Sequence, residues 1–148
     1  MVGYKIKVPL YNQTVGLYFD IPSYHKDYPE YSNDGDNGCY GFVQNRNIVI
    51  IDYNPNTVVH ECLHAAWQVL DECGVKVTHD NDEPLAYVLG YIYEAVINCH
   101  EHYLKREAKR EQKAAQAKKQ TGTGAVTVSK TERPSNRSEP EDKPATGD

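Results

Sequence analysis

Four β-branched residues in a row, Ile48-Val49-Ile50-Ile51, are followed within three positions by Asn54-Pro55 and then by a helical pattern that runs to Gly74. An unbroken apolar run of this length reads as a strand covered on both faces. Asn54 suits the N-cap. Pro55 suits the first helical position, where a missing N–H costs nothing. Gly74 adopts the left-handed cap conformation without strain, so the helix is predicted to end near Cys73. A buried strand feeding a capped helix requires a sheet with cover on two sides, and the rest of the chain has to supply it.

Residues 4–20 alternate well enough for two short strands, with a turn at Asn12-Gln13. Ile6, Val8 and Leu10 would share one face. Residues 21–38, with Pro22, Pro29 and the run Asn33-Asp34-Gly35-Asp36-Asn37-Gly38, read as loop. That run has part of a calcium-loop pattern but lacks the later bidentate glutamate, so a turn is the better reading. A further turn is expected at Asn45-Arg46-Asn47. In the first long helix Val59, Leu63, Ala66, Trp67 and Leu70 form an apolar stripe, with His60, His64, Gln68 and Asp71 on the adjoining face. A second helix starts near residues 81–84, with Asn81 or Asp82 as N-cap and Pro84 in the first turn. Leu85, Val88, Leu89, Ile92 and Val96 make its core stripe.

Beyond Leu104 the apolar face disappears, and the charge changes sign with it. Residues 1–104 hold five Lys/Arg and fourteen Asp/Glu, a net charge of −9; residues 105–120 hold seven and two, a net charge of +5. The expected organisation is a folded domain over residues 1–104, a polar basic helical extension over 105–120 and a disordered tail over 121–148. The fold class is α+β, with short N-terminal antiparallel strands packed on a two-helix core. An acidic body with a basic extension argues against a nucleic-acid-binding domain, leaving at most weak contact by the extension. The N-terminus has no apolar h-region and no segment is apolar enough to span a bilayer, which predicts a cytoplasmic protein with no membrane partner. Cys39, Cys62, Cys73 and Cys99 form no C-x-x-C pair and read as free thiols. Nothing in the composition sets the oligomeric state.

The chemistry concentrates in His60-Glu61-Cys62-Leu63-His64, an H-E-x-x-H run inside the first long helix. Residues four apart lie one turn above the other, so both imidazoles can reach one metal ion. Glu61 then stands beside the metal as a base for zinc-bound water. Cys62 points about 100° or more away from both histidines on the helical wheel and reads as a core or surface thiol. A catalytic zinc ion needs a third protein ligand and one open position. Glu83, His79 and Asp80 compete for that place. Glu83 is favoured for its rigid seat at a helix start, and because Ala86 and Gly90 on its face would let the two helices approach. His79 is the main rival. His100 and His102 are two apart and read as solvated. Tyr87 and Tyr91 are packing residues first, with a phenol in the cleft as the alternative.

The stretch Val58-Val59-His60-Glu61-Cys62-Leu63-His64-Ala65-Ala66 resembles the active-site helix of zincin metallopeptidases. Asn81-Asp82-Glu83-Pro84-Leu85-Ala86 is similar to the glutamate helix of their gluzincin branch. The resemblance implies Zn2+ held by His60, His64 and Glu83, with Glu61 as general base. It also implies a strand along which the substrate backbone pairs, here residues 48–51. Residues 45–91 look, too, like small proteins of tailed bacteriophages with a helix–loop–helix core, which would place the chain in a host cytoplasm. Two departures stand out. The aspartate that often follows the third ligand in gluzincins is Tyr87, leaving Asp71 as a substitute partner for a histidine. The metzincin Gly and His positions are Trp67 and Leu70. The expected function is zinc-dependent hydrolysis of a peptide or protein substrate. The alternative is a catalytically inert, metal-stabilised accessory protein that binds a host partner.

Overall fold

The computed structural model describes residues 3–31 and 38–121. The anticipated turn at Asp34-Gly35-Asp36-Asn37 and the tail beyond Thr121 lie outside the described residues. Strands β1 (Tyr4–Val8) and β2 (Gln13–Tyr18) form an antiparallel pair joined by a 3-10 turn, Pro9–Tyr11. Asn12 takes the left-handed conformation (φ 50°) that reverses the chain. Ile6 and Val8 are buried as expected, but Leu10 is 68% exposed. Pro9 starts a 3-10 turn, which takes Leu10 off the strand's period.

Residues 21–31 are not loop. Asp20 caps a short helix α1 (Ile21–Asp27), its Oδ1 accepting from Ser23 N at 2.6 Å, with Pro22 in the first turn; a 3-10 turn, Pro29–Tyr31, follows. Asp20 is an N-cap residue followed by a proline where helices tolerate one, so the two prolines had hidden a start signal.

Strands β3 (Gly41–Gln44) and β4 (Asn47–Ile50) form a second hairpin. Its turn places Asn45 and Arg46 both at positive φ, 48° and 60°, the mirror-type geometry that matches strand twist. The sheet order is β1-β2-β4-β3, with β2 and β4 parallel and the other neighbours antiparallel. All four residues of β4 are buried, as its composition requires. The fold is α+β, but the sheet is mixed rather than simply antiparallel.

Helix α2 (Pro55–Glu72) starts where the sequence says. Asn54 Oδ1 accepts from Thr57 N at 3.0 Å, and Gly74 closes the far end with φ 70°. Val58, Cys62, Ala65, Ala66, Val69 and Leu70 are its buried face, packed with Ile6, Val8, Val15, Leu17, Ile48 and Ile50 of the sheet beneath. The anticipated stripe was rotated: Val59 and Trp67 are 43% and 47% exposed. The small residues Cys62, Ala65 and Ala66 let the backbone approach the sheet, so the closest face is less bulky than the outer one. Helix α3 (Glu83–Thr121) contributes Val88, Ile92 and Val96 to the same core, flanked by Leu85 and Leu89. The helix continues well past Leu104, and its described side chains from Lys105 onward are exposed apart from a half-buried Glu107. The chain divides into units Met1–Gln112 and Lys113–Asp148.

The opposite face of the sheet explains part of the tyrosine excess, twelve against two phenylalanines. Tyr18, Tyr24 and Val49 are buried there against Tyr28, Tyr31 and Phe42. Each phenol keeps its tip bonded: Tyr18 to Asp27, Tyr24 to Gln44, Tyr28 to Asn47, and Tyr31 from Asn45. No helix of the described residues is long and apolar enough to cross a membrane.

Candidate metal centre

His60 and His64 occupy the outer side of α2, one turn apart, both exposed. Their Nε2 atoms lie 3.1 Å from each other and the rings meet edge to face, with centroids 4.6 Å apart. Two nitrogens each about 2.0–2.1 Å from a tetrahedral zinc would stand about 3.3 Å apart. The pair therefore fits a shared metal ion as two ligands, through the same ring nitrogen of each residue.

Glu61 is turned inward by 100° from His60 and is only 5% exposed. Its stem lies across β3: a Cβ placed on Gly41 would come within 3.0 Å of Glu61 Cγ. Burial pushes the Glu61 carboxyl above its ordinary value of 4.5, while the adjoining His60 and His64 pull it back down. The result is a carboxylate with raised proton affinity beside two metal-type nitrogens, the property a general base needs. Its neighbour Cys62 is fully buried, and burial pushes that thiol up to about 12. Cys62 is a core residue and not a ligand.

Gly41, Phe42, Val43, His60, Glu61, His64 and Gln68 line an open cleft of about 310 Å³. One wall is β3, the last strand in the sheet order. The zincin resemblance implies that residues 48–51 pair with a substrate backbone. β4 is hydrogen-bonded to β2 on one side and β3 on the other, so it has no edge to offer. The edge beside the cleft belongs to β3. Sequence reading missed Gly41 and Val43 as site residues. The local signal was weak: the apolar pair Phe42-Val43 just ahead of the Asn45-Arg46 turn.

Gln68, one turn beyond His64, lines the cleft beside the two histidines, as its spacing predicts. Its Oε1 accepts from Arg46 N at 2.9 Å, and the Arg46 guanidinium reaches Glu72 Oε2 at 3.2 Å and Gln13 Oε1. These bonds tie the β3–β4 turn to α2 and set the width of the cleft.

The remaining anticipated site residues lie elsewhere. Glu83 is exposed, and so are Ala86 and Gly90; a Cβ on Gly90 would meet nothing within 4 Å. The small-residue face that was to bring the helices together is turned to solvent, which removes the reason for choosing Glu83. His79 and Asp80 are fully exposed in the connection and pair with each other at 3.6 Å. Asp71 is exposed, Tyr87 is 53% exposed and Tyr91 packs against the core. None of these residues lines the cleft. Among the described residues no three His, Cys, Asp or Glu side chains converge as a metal-holding group. His100 is not solvated either. It stacks on Tyr53 with ring centroids 3.3 Å apart, beside Phe19 and Tyr103.

Comparison of the chain with family models, with curated proteins and with solved structures gives no match.

Proposed function

We propose that the protein is a zinc-dependent peptide hydrolase whose centre is built on α2, with His60 and His64 as two of the metal ligands and Glu61 as general base; among the described residues no third protein ligand joins the pair. The observation that carries this reading is the 3.1 Å approach of the two Nε2 atoms with the buried Glu61 next to them. Zinc, when bound, supplies Lewis acidity that polarises a carbonyl and lowers the pKa of water toward neutrality. Glu61 takes the proton of the attacking water on its carboxylate and delivers it to the leaving amine. Its partly desolvated setting keeps its proton affinity nearer to that task than an exposed glutamate would. The β3 edge lies beside the cleft, where an extended peptide can add as a further strand and present its carbonyl to the histidine side. Glu83 is not part of this reading, because it does not line the cleft that holds the pair.

A second reading has its own support. Val59 and Trp67 are exposed on the flank of the histidine pair. An apolar flank beside a metal suits an inert, metal-holding accessory protein that docks a partner there.

The deciding experiment measures metal content and cleavage of a mixed peptide library for the wild type, His60→Ala, His64→Ala and Glu61→Gln. The expected result is about one zinc per wild-type chain, loss of zinc in both histidine variants, and a Glu61→Gln protein that keeps zinc and cleaves nothing. Unchanged zinc content in the histidine variants would remove the centre. Full cleavage by Glu61→Gln would remove the hydrolase.

A further inference from the structure

We propose that the face of the sheet opposite α2 carries a separate binding site for a small, polar, anionic molecule bearing a phosphate or carboxylate group, held between Lys5 of β1 and Lys26 of α1. The proposal stands on a cavity of about 600 Å³ that shares no lining residue with the metal cleft. That volume lies within the range of small-molecule sites.

The cavity follows from how the sheet is covered. On this face α1 and its tyrosines lie over Tyr18, Val49 and Phe42. The cover stops there, and Lys5, Lys7 and Thr14 remain exposed. Between the covered and bare halves β2 carries Gly16, and the place of its missing side chain is taken by Asn47. A Cβ at that position would collide with Asn47 Oδ1. The buried Asn47 side chain lies over this glycine, held by Tyr28 OH at 3.2 Å and donating to Asn45 O at 3.2 Å. A polar, pre-organised floor thus replaces an apolar one.

Charge decides what the cavity takes. Residues 1–104 carry only five cationic side chains, against fourteen acids. Of these five, Lys5 and Lys26 line the cavity and Lys7 lies on the same face of β1. Arg46 also borders it, but its guanidinium is committed to Glu72 and Gln13. The cavity's one acid, Asp27, is occupied as an acceptor by Tyr18 OH at 3.1 Å and Gly3 N at 3.4 Å. No ion pair engages Lys5 or Lys26 among the described residues. Two unpaired ammonium groups across a polar cavity, in an otherwise acidic body, give a local field that attracts an anion. The hydroxyl and amide groups around them favour a hydrogen-bonding ligand over an apolar one.

The test is an amide NMR titration of the full-length chain with inorganic phosphate, citrate and adenosine monophosphate in separate arms. The proposal expects saturable shifts at Gly3, Gly16 and Lys26 for at least one probe, with a Kd of about a millimolar or tighter. Response to phosphate or the nucleotide but not citrate assigns a phosphate ligand; the reverse assigns a carboxylate. Lys5→Glu and Lys26→Glu are each expected to weaken binding by about tenfold or more, whereas Lys7→Glu, the same charge change outside the cavity, leaves it within about twofold. These lysines are exposed, so the variants keep the fold, which their unshifted core resonances would verify. Absence of saturation with all three probes overturns the proposal. So does equal weakening by Lys7→Glu, which would mean general attraction to the surface.

Discussion

Gly41 of β3 faces Glu61 of α2 so closely that any Cβ on it would lie 3.0 Å from Glu61 Cγ, and as near to the Val49 carbonyl. The third neighbour is Thr57 Cγ2 at 3.1 Å, on a β-branched side chain with little freedom to yield. Gly41→Ala is expected to destabilise by about 1–3 kcal/mol through overpacking. It should also move β3 away from the cleft and weaken any substrate pairing at that edge. Urea unfolding of the variant beside the wild type checks the first effect. Amide shifts confined to β3 and α2 check the second.

Gln68 holds the β3–β4 turn through its bond to Arg46 N. Gln68→Ala leaves that amide without its protein partner and is expected to cost about 0.5–1.5 kcal/mol. Hydrogen exchange at Arg46 N–H should speed up, while exchange in β1 and β2 stays as it was. If exchange at Arg46 is unchanged, the turn is held by the Arg46–Glu72 pair instead.

The rotation of the α2 stripe gives a sharp contrast. Leu70→Ala removes a fully buried side chain and is expected to cost about 2–5 kcal/mol. Trp67→Ser removes a larger residue that is half exposed, and it should cost less than about 1 kcal/mol. Thermal melts of the two variants decide between this packing and the stripe expected from composition.

His100 makes stability pH-dependent. Partial burial lowers its pKa below 6.5, so folding favours the neutral ring, which lies stacked on Tyr53. The neighbouring Tyr53 and Tyr103 are pushed the other way by burial and stay uncharged in this range. A base with a depressed folded value contributes fully above its ordinary pKa and loses that contribution as pH falls through the depressed one. Wild-type Tm should therefore drop further between about pH 7.5 and about pH 5 than the Tm of His100→Phe, which keeps the stack without the proton. Parallel pH curves for the two proteins would contradict the assignment.

Local signals were the readable part of this chain. The Asn54-Pro55 start, the Gly74 stop, the all-buried β4 and the H-E-x-x-H face each follow from residues within one element, and each is where the sequence puts it. Three of the errors involve a partner from another element. Val59 and Trp67 look like core until the sheet selects the smaller face of α2. Glu83 looks like a ligand until α3 turns Ala86 and Gly90 outward. Residues 48–51 look like a substrate-pairing strand until β3, from an unpromising four-residue run, takes the edge. The α1 helix was missed for a different reason: Pro22 in its first turn and Pro29 just past its end outweighed the Asp20 cap in a short window.

On α2 the residues that hold the protein together and the residues poised for chemistry occupy opposite sides of one cylinder. His60 and His64 add nothing to the interior, so a lineage of such chains could exchange them at a cost near 0.5 kcal/mol each, roughly that of any surface replacement. Glu61 is the exception, with its stem wedged under a strand and its carboxylate at the cleft. Reactivity in this scaffold is thus easy to retune at the two imidazoles and hard to relocate, because the one acid that would move protons is anchored by the architecture itself.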